Sequence, residues 1–343
     1  MTEATLQPDE IRRIDALLDE VLAGRPAIDL QPFLADAAVY AHELPRRLRK
    51  LFHDFKLRES SVALCLRNNP FDGAAVGPTP TRSGERGDQS RIGREDVLHL
   101  LYGSLLGESF AWASTRDVHF VNQICPCVDD RDRVISTGSN VTFDLHTEDA
   151  YHPFSGDYLG LMCIRNHEQA PTLVAGIDDV DLAPHHAAVL FEPRFRIGAN
   201  VVHQVSPVRE TTSVLFGRRD APYVRLNVND TKGVDDEAEA ALAALVGALK
   251  ASMRPVVLAP GESVYVDNLR ALHGRPPLSP RYDGDDRWLR GIYLTCDLRK
   301  SRALRAAPEA RVIESRLPAV SEERFVDLPG ALDRLGEPPS LRS

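Results

Sequence analysis

The feature that most limits what this chain can fold into is a change of texture near residue 118. From there, short β-rich runs follow one another: Val118–Ile124, Val141–Leu145, Tyr158–Ile164, Thr172–Ile177 and Ala188–Phe191. Ser213–Phe216, Tyr223–Asn227, Ser263–Val266 and Gly291–Thr295 continue the series. Turn residues separate the runs, a pattern that predicts a sandwich, jelly roll or barrel. One helix interrupts them, over 235–251, where Leu242, Leu245, Val246 and Leu249 recur at core spacing and Arg254-Pro255 follows.

The first 110 or so residues read differently. Pro8-Asp9 opens a helix in which Ile11, Ile14, Leu17, Leu18, Val21 and Leu22 share a face. A second helical stretch is predicted from about Pro32 to Phe55, and a third from Arg94 to Leu106. Between them, Asn69 to Asp96 is rich in Gly, Pro, Ser and charge, and is either a lid over a ligand site or a surface connection. No internal repeat is found.

Bulk properties narrow the partners. With 43% hydrophobic and 27% charged residues the chain is ordinary for a globular protein. A net charge of -9 and the lack of a basic stripe with interleaved aromatics argue against nucleic acid as a partner. The basic clusters at 46–50 and 299–302 read as solvated helix faces. No signal peptide is evident, and no run approaches the roughly 20 apolar residues that span a membrane. Cys65, Cys125, Cys127, Cys163 and Cys296 are scattered and odd in number, which suits reduced thiols in a cytoplasmic protein. Cys125-Pro126-Cys127 invites a zinc reading, but no second Cys pair or nearby His completes four ligands.

The sharpest chemical signal is Leu145-His146-Thr147-Glu148-Asp149 at the end of a predicted strand. Residues i and i+2 of an extended chain point to one side, so His146 and Glu148 can offer an imidazole nitrogen and a carboxylate oxygen to one ion. His273, beyond the strand ending at Asp267-Asn268, supplies a second imidazole. Two His and one carboxylate on one face of an octahedron leave three positions open, the arrangement of non-haem Fe(II) oxygenases. Arg287, at the next strand, offers a planar fork for a carboxylate. A 2-oxoacid needs both an open metal and such a fork.

The run His146-Thr147-Glu148-Asp149-Ala150-Tyr151-His152-Pro153 resembles the clavaminate synthase-like branch of the Fe(II)/2-oxoglutarate oxygenases. So do Leu161–Asn166 and Val266-Asp267-Asn268 with His273-Gly274-Arg275. Ala41–Lys50 and Asp297–Arg302 extend the similarity, which is greatest to bacterial lysine 4-hydroxylases and to arginine and asparagine hydroxylases of secondary metabolism. The resemblance implies a mainly β protein with flanking helices (α+β), its core a distorted double-stranded β-helix, a jelly roll of cupin-like form. One domain over 1–343 is expected, with a mainly helical part at 1–110, the core at 118–300 and the helix insert at 235–251.

The resemblance also implies His146, Glu148 and His273 as iron ligands and Arg287 as the anchor for 2-oxoglutarate. Thr172 matches a residue whose hydroxyl helps hold the cosubstrate. Glu148 and Asn122 match groups that contact the substrate amino acid. The implied reaction hydroxylates an unactivated carbon, C3 or C4, of an amino acid, releasing succinate and CO2, with ascorbate as reductant in vitro. Halogenation is disfavoured because Glu148 fills the position a halide needs. Desaturation or ring closure by the same centre, or a cupin-like binding protein without catalysis, are the alternatives.

Two departures from the relatives bear on substrate. Where basic amino acid hydroxylases carry an Asp for the cationic tail, this chain has Arg218, followed by Arg219 and Asp220. Arg218 either reads an acidic or neutral tail, as of glutamate or citrulline, or points to solvent. Asp220 matches a second acidic position of the arginine hydroxylases and keeps a basic or ureido substrate open beside the lysine that overall similarity suggests. Four residues past Arg287, relatives carry an Arg for the α-carboxylate, and this chain has Gly291. Either the substrate is bound to a carrier protein rather than free, or another cation serves.

Overall fold

The computed structural model describes residues 1–85, 90–115, 118–199, 203 and 210–314. In chain order it runs Thr2–Thr5 (β1), Pro8–Leu22 (α1), Ile28–Asp29 (β2), Leu30–Ala41 (α2), Arg46–Arg58 (α3), Ala63–Arg67 (β3), Arg91–Ile92 (β4), Arg94–Ser104 (α4) and Glu108–Trp112 (β5). Asn122–Ile124 (β6), Phe143–His146 (β7), Tyr158–Arg165 (β8), Thr172–Gly176 (β9), Pro184–Leu190 (α5), Phe195–Ile197 (β10), Leu215–Arg218 (β11) and Ala221–Val224 (β12) follow. Thr231–Gly233 (β13), Asp236–Ser252 (α6), Arg254–Val256 (β14), Ser263–Asp267 (β15), Ala271–Arg275 (β16), Trp288–Thr295 (β17) and Val312–Ile313 (β18) complete it.

Helix α1 shows how the sequence sets local structure. Pro8 occupies the first turn, and the Glu10 carboxylate accepts the Gln7 backbone N–H at 2.9 Å in a capping box. Ile14, Leu17, Leu18, Val21 and Leu22 bury one stripe, and Ala23 ends the helix in the left-handed region at φ 49°. Burying each such leucine or isoleucine contributes about 1.5–3 kcal/mol, so an Asp at the fully buried Leu18 would undo the docking.

Two sheets face each other. The larger has the order β1-β3-β15-β8-β17-β5-β18, with β6 also on β17, and the smaller runs β14-β9-β16-β7. Period-two alternation decides which side chains meet between them. Ala63 and Cys65, Leu159, Leu161 and Cys163, Val264 and Val266, and Leu289 point inward from the large sheet against Val174, Val256 and Ala271 of the small one. Their neighbours Leu64, Leu66, Met162, Tyr265, Ile292 and Leu294 point outward and are covered by α1–α4. On the other side, α5 and α6 cover Leu145, Ala175 and Leu272. The result is four layers, helices outside and the two sheets inside, the jelly-roll arrangement the sequence led us to expect.

The differences from expectation are local. Ala188–Phe191, read as a strand, lies mostly in α5, because Pro184 starts a helix and the short apolar run fits either state. The stretch Pro32–Phe55 splits into α2 and α3 at His42–Pro45. Of Val118–Ile124 only Asn122–Ile124 pairs as a strand. The helical first part also supplies β1 and β3 to the large sheet. Of the loop from Asn69 to Asp96, residues 86–89 lie outside the described residues. Its Thr79 is docked, the hydroxyl donating to the Asp286 carbonyl at 2.9 Å and the N–H to Gly284 at 2.7 Å. In the basic clusters Arg47 pairs with Glu10, and Lys50 with Asp54.

Candidate active site

His146 ends β7 and His273 lies on β16, and the two face each other directly as an antiparallel pair. Their rings are 4.3 Å apart between centroids. Gly274 permits this approach: a Cβ there would sit 2.7 Å from the Phe143 carbonyl oxygen, so any side chain would push β7 away. Two residues beyond His146, Glu148 brings Oε1 to 3.1 Å from His273 Nε2 and 3.7 Å from His146 Nε2. One donor atom from each of the three lies within 4.8 Å of the others, and among the described residues no other such group of His, Cys, Asp or Glu forms.

The donor set suits a divalent cation. His146 Nδ1 donates to the Asp144 carbonyl at 2.9 Å, which fixes the tautomer and leaves Nε2, buried and without a hydrogen bond, as a lone pair aimed at Glu148. Burial opposes the Glu148 charge, yet the facing His146 and His273 imidazoles hold its carboxyl well below the usual range. Burial also opposes protonation of His146, but Glu148 more than offsets it and raises the pKa. In His273 burial prevails, with the neighbouring His146 adding to it, and the pKa falls. Two buried imidazoles thus compete for one carboxylate, a frustration that a cation between them removes.

Glu148 stands between two cavities. The first is walled by Ile124, Leu159, Leu161 and Leu289, with Glu148 and His273 on one side and Thr172 and Arg287 also lining it. Arg287 is 5% exposed and donates from Nη2 to the Thr172 hydroxyl at 2.9 Å. Its Nε has no hydrogen-bond partner, and burial pushes the guanidinium down to about 10. A buried guanidinium without a carboxylate partner among the described residues asks for an anion. A dicarboxylate that reaches from the triad to Arg287 supplies one.

The second cavity is lined by His146, Glu148, Asp149, Tyr151, Thr115, His203, Asn227 and Tyr293, with Ser136 and Phe143 shared between both. Asp149, in the left-handed region at φ 52°, accepts from the Trp112 indole and from His203 Nε2, the latter at 2.7 Å. Ser114 Oγ meets the other His203 nitrogen at 2.7 Å. Burial lowers the His203 pKa, but Asp149 more than offsets this and holds it above its usual value. None of these partners was singled out from the sequence, although Asp149 adjoins the His-x-Glu motif.

The remaining expectations meet mixed outcomes. Asn122 pairs with Gly291 across β6 and β17 and spends its amide on the Gly291 carbonyl at 3.4 Å, outside the lining of either cavity. Arg218 and Asp220 do not reach the site. They sit at the turn of the β11–β12 hairpin, with the Arg218 side chain 78% exposed and bonded to Asp220 at 2.9 and 2.6 Å. Asp220 belongs to the two-residue turn that follows Arg218, and both side chains stand in solvent. A Cβ at Gly291 would sit 2.7 Å from Ile124 Cδ1, so a larger residue there requires that side-chain end to move. Arg290 points to the outer face, over Trp288 at 4.6 Å and 3.5 Å from Asp96.

No protein-family model matches the chain. Among curated proteins it is 36% identical to enduracididine β-hydroxylase of Streptomyces hygroscopicus, over 90% of this chain and 98% of that one. It is 34% identical to L-ornithine/L-arginine 3-hydroxylase of Catenulispora acidiphila, over 85% of this chain and 94% of that one. Among solved structures it matches the non-haem iron oxygenase OrfP in complex with Fe and α-ketoglutaric acid, with a TM-score of 0.83, 35% identity and coverage of 91% and 99%. With identity above a third across nearly the whole of such a relative, this chain belongs to the clavaminate synthase-like Fe(II)/2-oxoglutarate-dependent oxygenases.

Proposed function

We propose that the chain hydroxylates C3 or C4 of a free amino acid with a basic side chain, with His146, Glu148 and His273 holding Fe(II) and Arg287 with Thr172 anchoring 2-oxoglutarate. The observation that carries the reading is the pairing of a three-donor cluster with a buried, unpaired guanidinium in one cavity. The relatives' activities on ornithine, arginine and enduracididine support the substrate class, and their β and 3-positions favour C3. Arg218 gives no reason to prefer an acidic substrate, since its charge is met by Asp220 in solvent.

Bound iron and 2-oxoglutarate supply the oxidant, O2 being split so that one oxygen leaves in succinate, with CO2, and the other enters the substrate C–H bond. The chain's own residues set the geometry. Arg287 takes the distal carboxylate of the oxoacid, and the leucine and isoleucine walls keep water from it. The substrate is held in the second cavity, on the other side of Glu148, so that its target carbon lies beside the metal position. The described residues form one oxygenase domain in this reading, supported by the packing of α1–α4 on the sheet whose inner face lines the cavity. The expected C-terminal end at 315–343 lies outside the described residues. No helix among the described residues is long and apolar enough to cross a membrane.

A second reading has the amino acid tethered to a carrier protein. One observation favours it: among the described residues, no Lys or Arg lines the second cavity to meet a free α-carboxylate. Incubation with Fe(II), 2-oxoglutarate, ascorbate and oxygen tests both. A free basic amino acid one oxygen atom heavier establishes the first. Succinate without any such product, and a heavier aminoacyl carrier, establishes the second.

A further inference from the structure

Glu148 has no strand to hold it. The β7 ladder stops at His146, and the chain then leaves the sheet and turns left-handed at Asp149. On the side toward β7, Thr147 is pinned by its N–H to the Leu226 carbonyl at 2.8 Å. What holds Glu148 itself is Asn268, in the turn between β15 and β16. Its Oδ1 accepts the Glu148 N–H at 2.7 Å, and its Nδ2 donates to the Glu148 carbonyl at 3.1 Å and to the Gly156 carbonyl at 2.8 Å.

Asn268 is 3% exposed, so these bonds are made away from competing water. The orientation of the amide is fixed by chemistry: turned over, it would set its NH2 against an N–H and its oxygen against two carbonyls. Both N–H donors and the oxygen are used, and two of the three bonds fall on one residue. An amide side chain thus replaces the missing ladder at the residue that carries the carboxylate. Beyond it, Asp149 is held separately by Trp112 and His203. The freedom left to Glu148 is therefore in its side-chain torsions.

We propose that Asn268 is a positioning residue of the metal site, fixing the Glu148 main chain so that its carboxylate meets His146 and His273 together. The proposal rests on the reading of Glu148 as a metal ligand. A buried asparagine that only braced its own turn would bond within that turn. Asn268 instead reaches a residue 120 positions away.

The test is Co(II) binding to the metal-free chain, followed by its visible d–d absorption, for wild type, Asn268→Ala, Asn268→Ser, Asp267→Asn and Glu148→Ala. Asp267→Asn keeps the acceptor for the Leu269 N–H and so controls for disturbance of the turn. Loss of a partner that orients a ligand costs about 10–100-fold in metal affinity. That loss, with an altered d–d spectrum, is expected in both Asn268 variants and absent in Asp267→Asn. Affinity less than about tenfold below wild type in a folded Asn268 variant, under the low edge of that range, overturns the proposal. If Glu148→Ala also binds like wild type, it is the ligand reading that fails. If neither Asn268 variant attains wild-type near-ultraviolet circular dichroism, Asn268 holds the fold rather than the ligand, and the proposal falls.

Discussion

His146 and His273 are direct cross-strand neighbours, their rings 4.3 Å apart on the inner face of the small sheet. Two of the three candidate ligands therefore belong to one ladder, and their separation is set by how closely β7 and β16 approach. Gly274 sets that approach. Gly274→Ala should cost about 1–3 kcal/mol of stability, as overpacking does, and should weaken Co(II) binding at the same time. Urea unfolding and metal titration check the two effects, and a stable variant with unchanged affinity would show that β7 tolerates the extra methyl.

Arg287 is buried and lacks a carboxylate partner among the described residues. Arg287→Met should raise the half-saturating 2-oxoglutarate concentration at least about thirtyfold, the equivalent of about 2 kcal/mol for a buried charge pair. Turnover at saturating cosubstrate should change far less. Because an unpaired buried charge is costly, the ligand-free variant should melt no lower than wild type. A marked fall in melting temperature with unchanged 2-oxoglutarate dependence would make Arg287 a structural residue.

Asp267 gives a pH dependence with a definite sign. Burial, with weaker effects from Glu59 and Asp157, pushes its carboxyl up to about 7, against a hydrogen bond from the Leu269 N–H and the charge of Arg270. A group whose folded pKa is raised lends stability below its unfolded pKa and loses it as pH rises through the folded value. Wild type should therefore lose about 1.4 kcal/mol per pH unit from this group between pH 4 and 7. Asp267→Asn should be the more stable of the two at pH 8 and equal at pH 4. Urea midpoints across that range decide it, and parallel curves would refute the assignment.

Arg218 is exposed and paired with its neighbour. Arg218→Asp should alter stability by no more than about 0.5 kcal/mol and leave the substrate KM within about twofold of wild type, the same energy. A large rise in KM would bring the hairpin back into the substrate site.

What the sequence made legible follows from periodicity. His146 and Glu148 at i and i+2, and the alternation along β3, β8, β15 and β17, are local patterns, and local geometry preserves them in the fold. Arg290 against Arg287 shows the same rule, odd spacing sending one side chain outward. The short run Ala188–Phe191 failed because a few apolar residues do not fix a period. For Arg218 a tail-reading and a solvent-facing placement both stay open in the sequence, because similarity places a residue on a hairpin but does not say which way its side chain points. The Asn268 bonds to Glu148 were invisible for a different reason: they join distant turns, and no window of sequence contains both. Asn268 had been noted within a family motif, but nothing in the motif said what its amide holds.

Glu148 lines both cavities together with Ser136 and Phe143, so the two have three residues in common and differ in the rest. Contacts in one can change without rebuilding the other. The first cavity, proposed above for the oxoacid, is lined largely from strands of the two sheets, whose registers tolerate little drift. The second chamber is closed largely by connecting segments, through Thr115, Asp149, Tyr151, Gly198 and His203. Segments outside a sheet accept substitution and length change far more readily than ladders do. On the proposed assignment, a chain built this way exchanges one amino acid substrate for another through its connecting segments, with the metal ligands left in place.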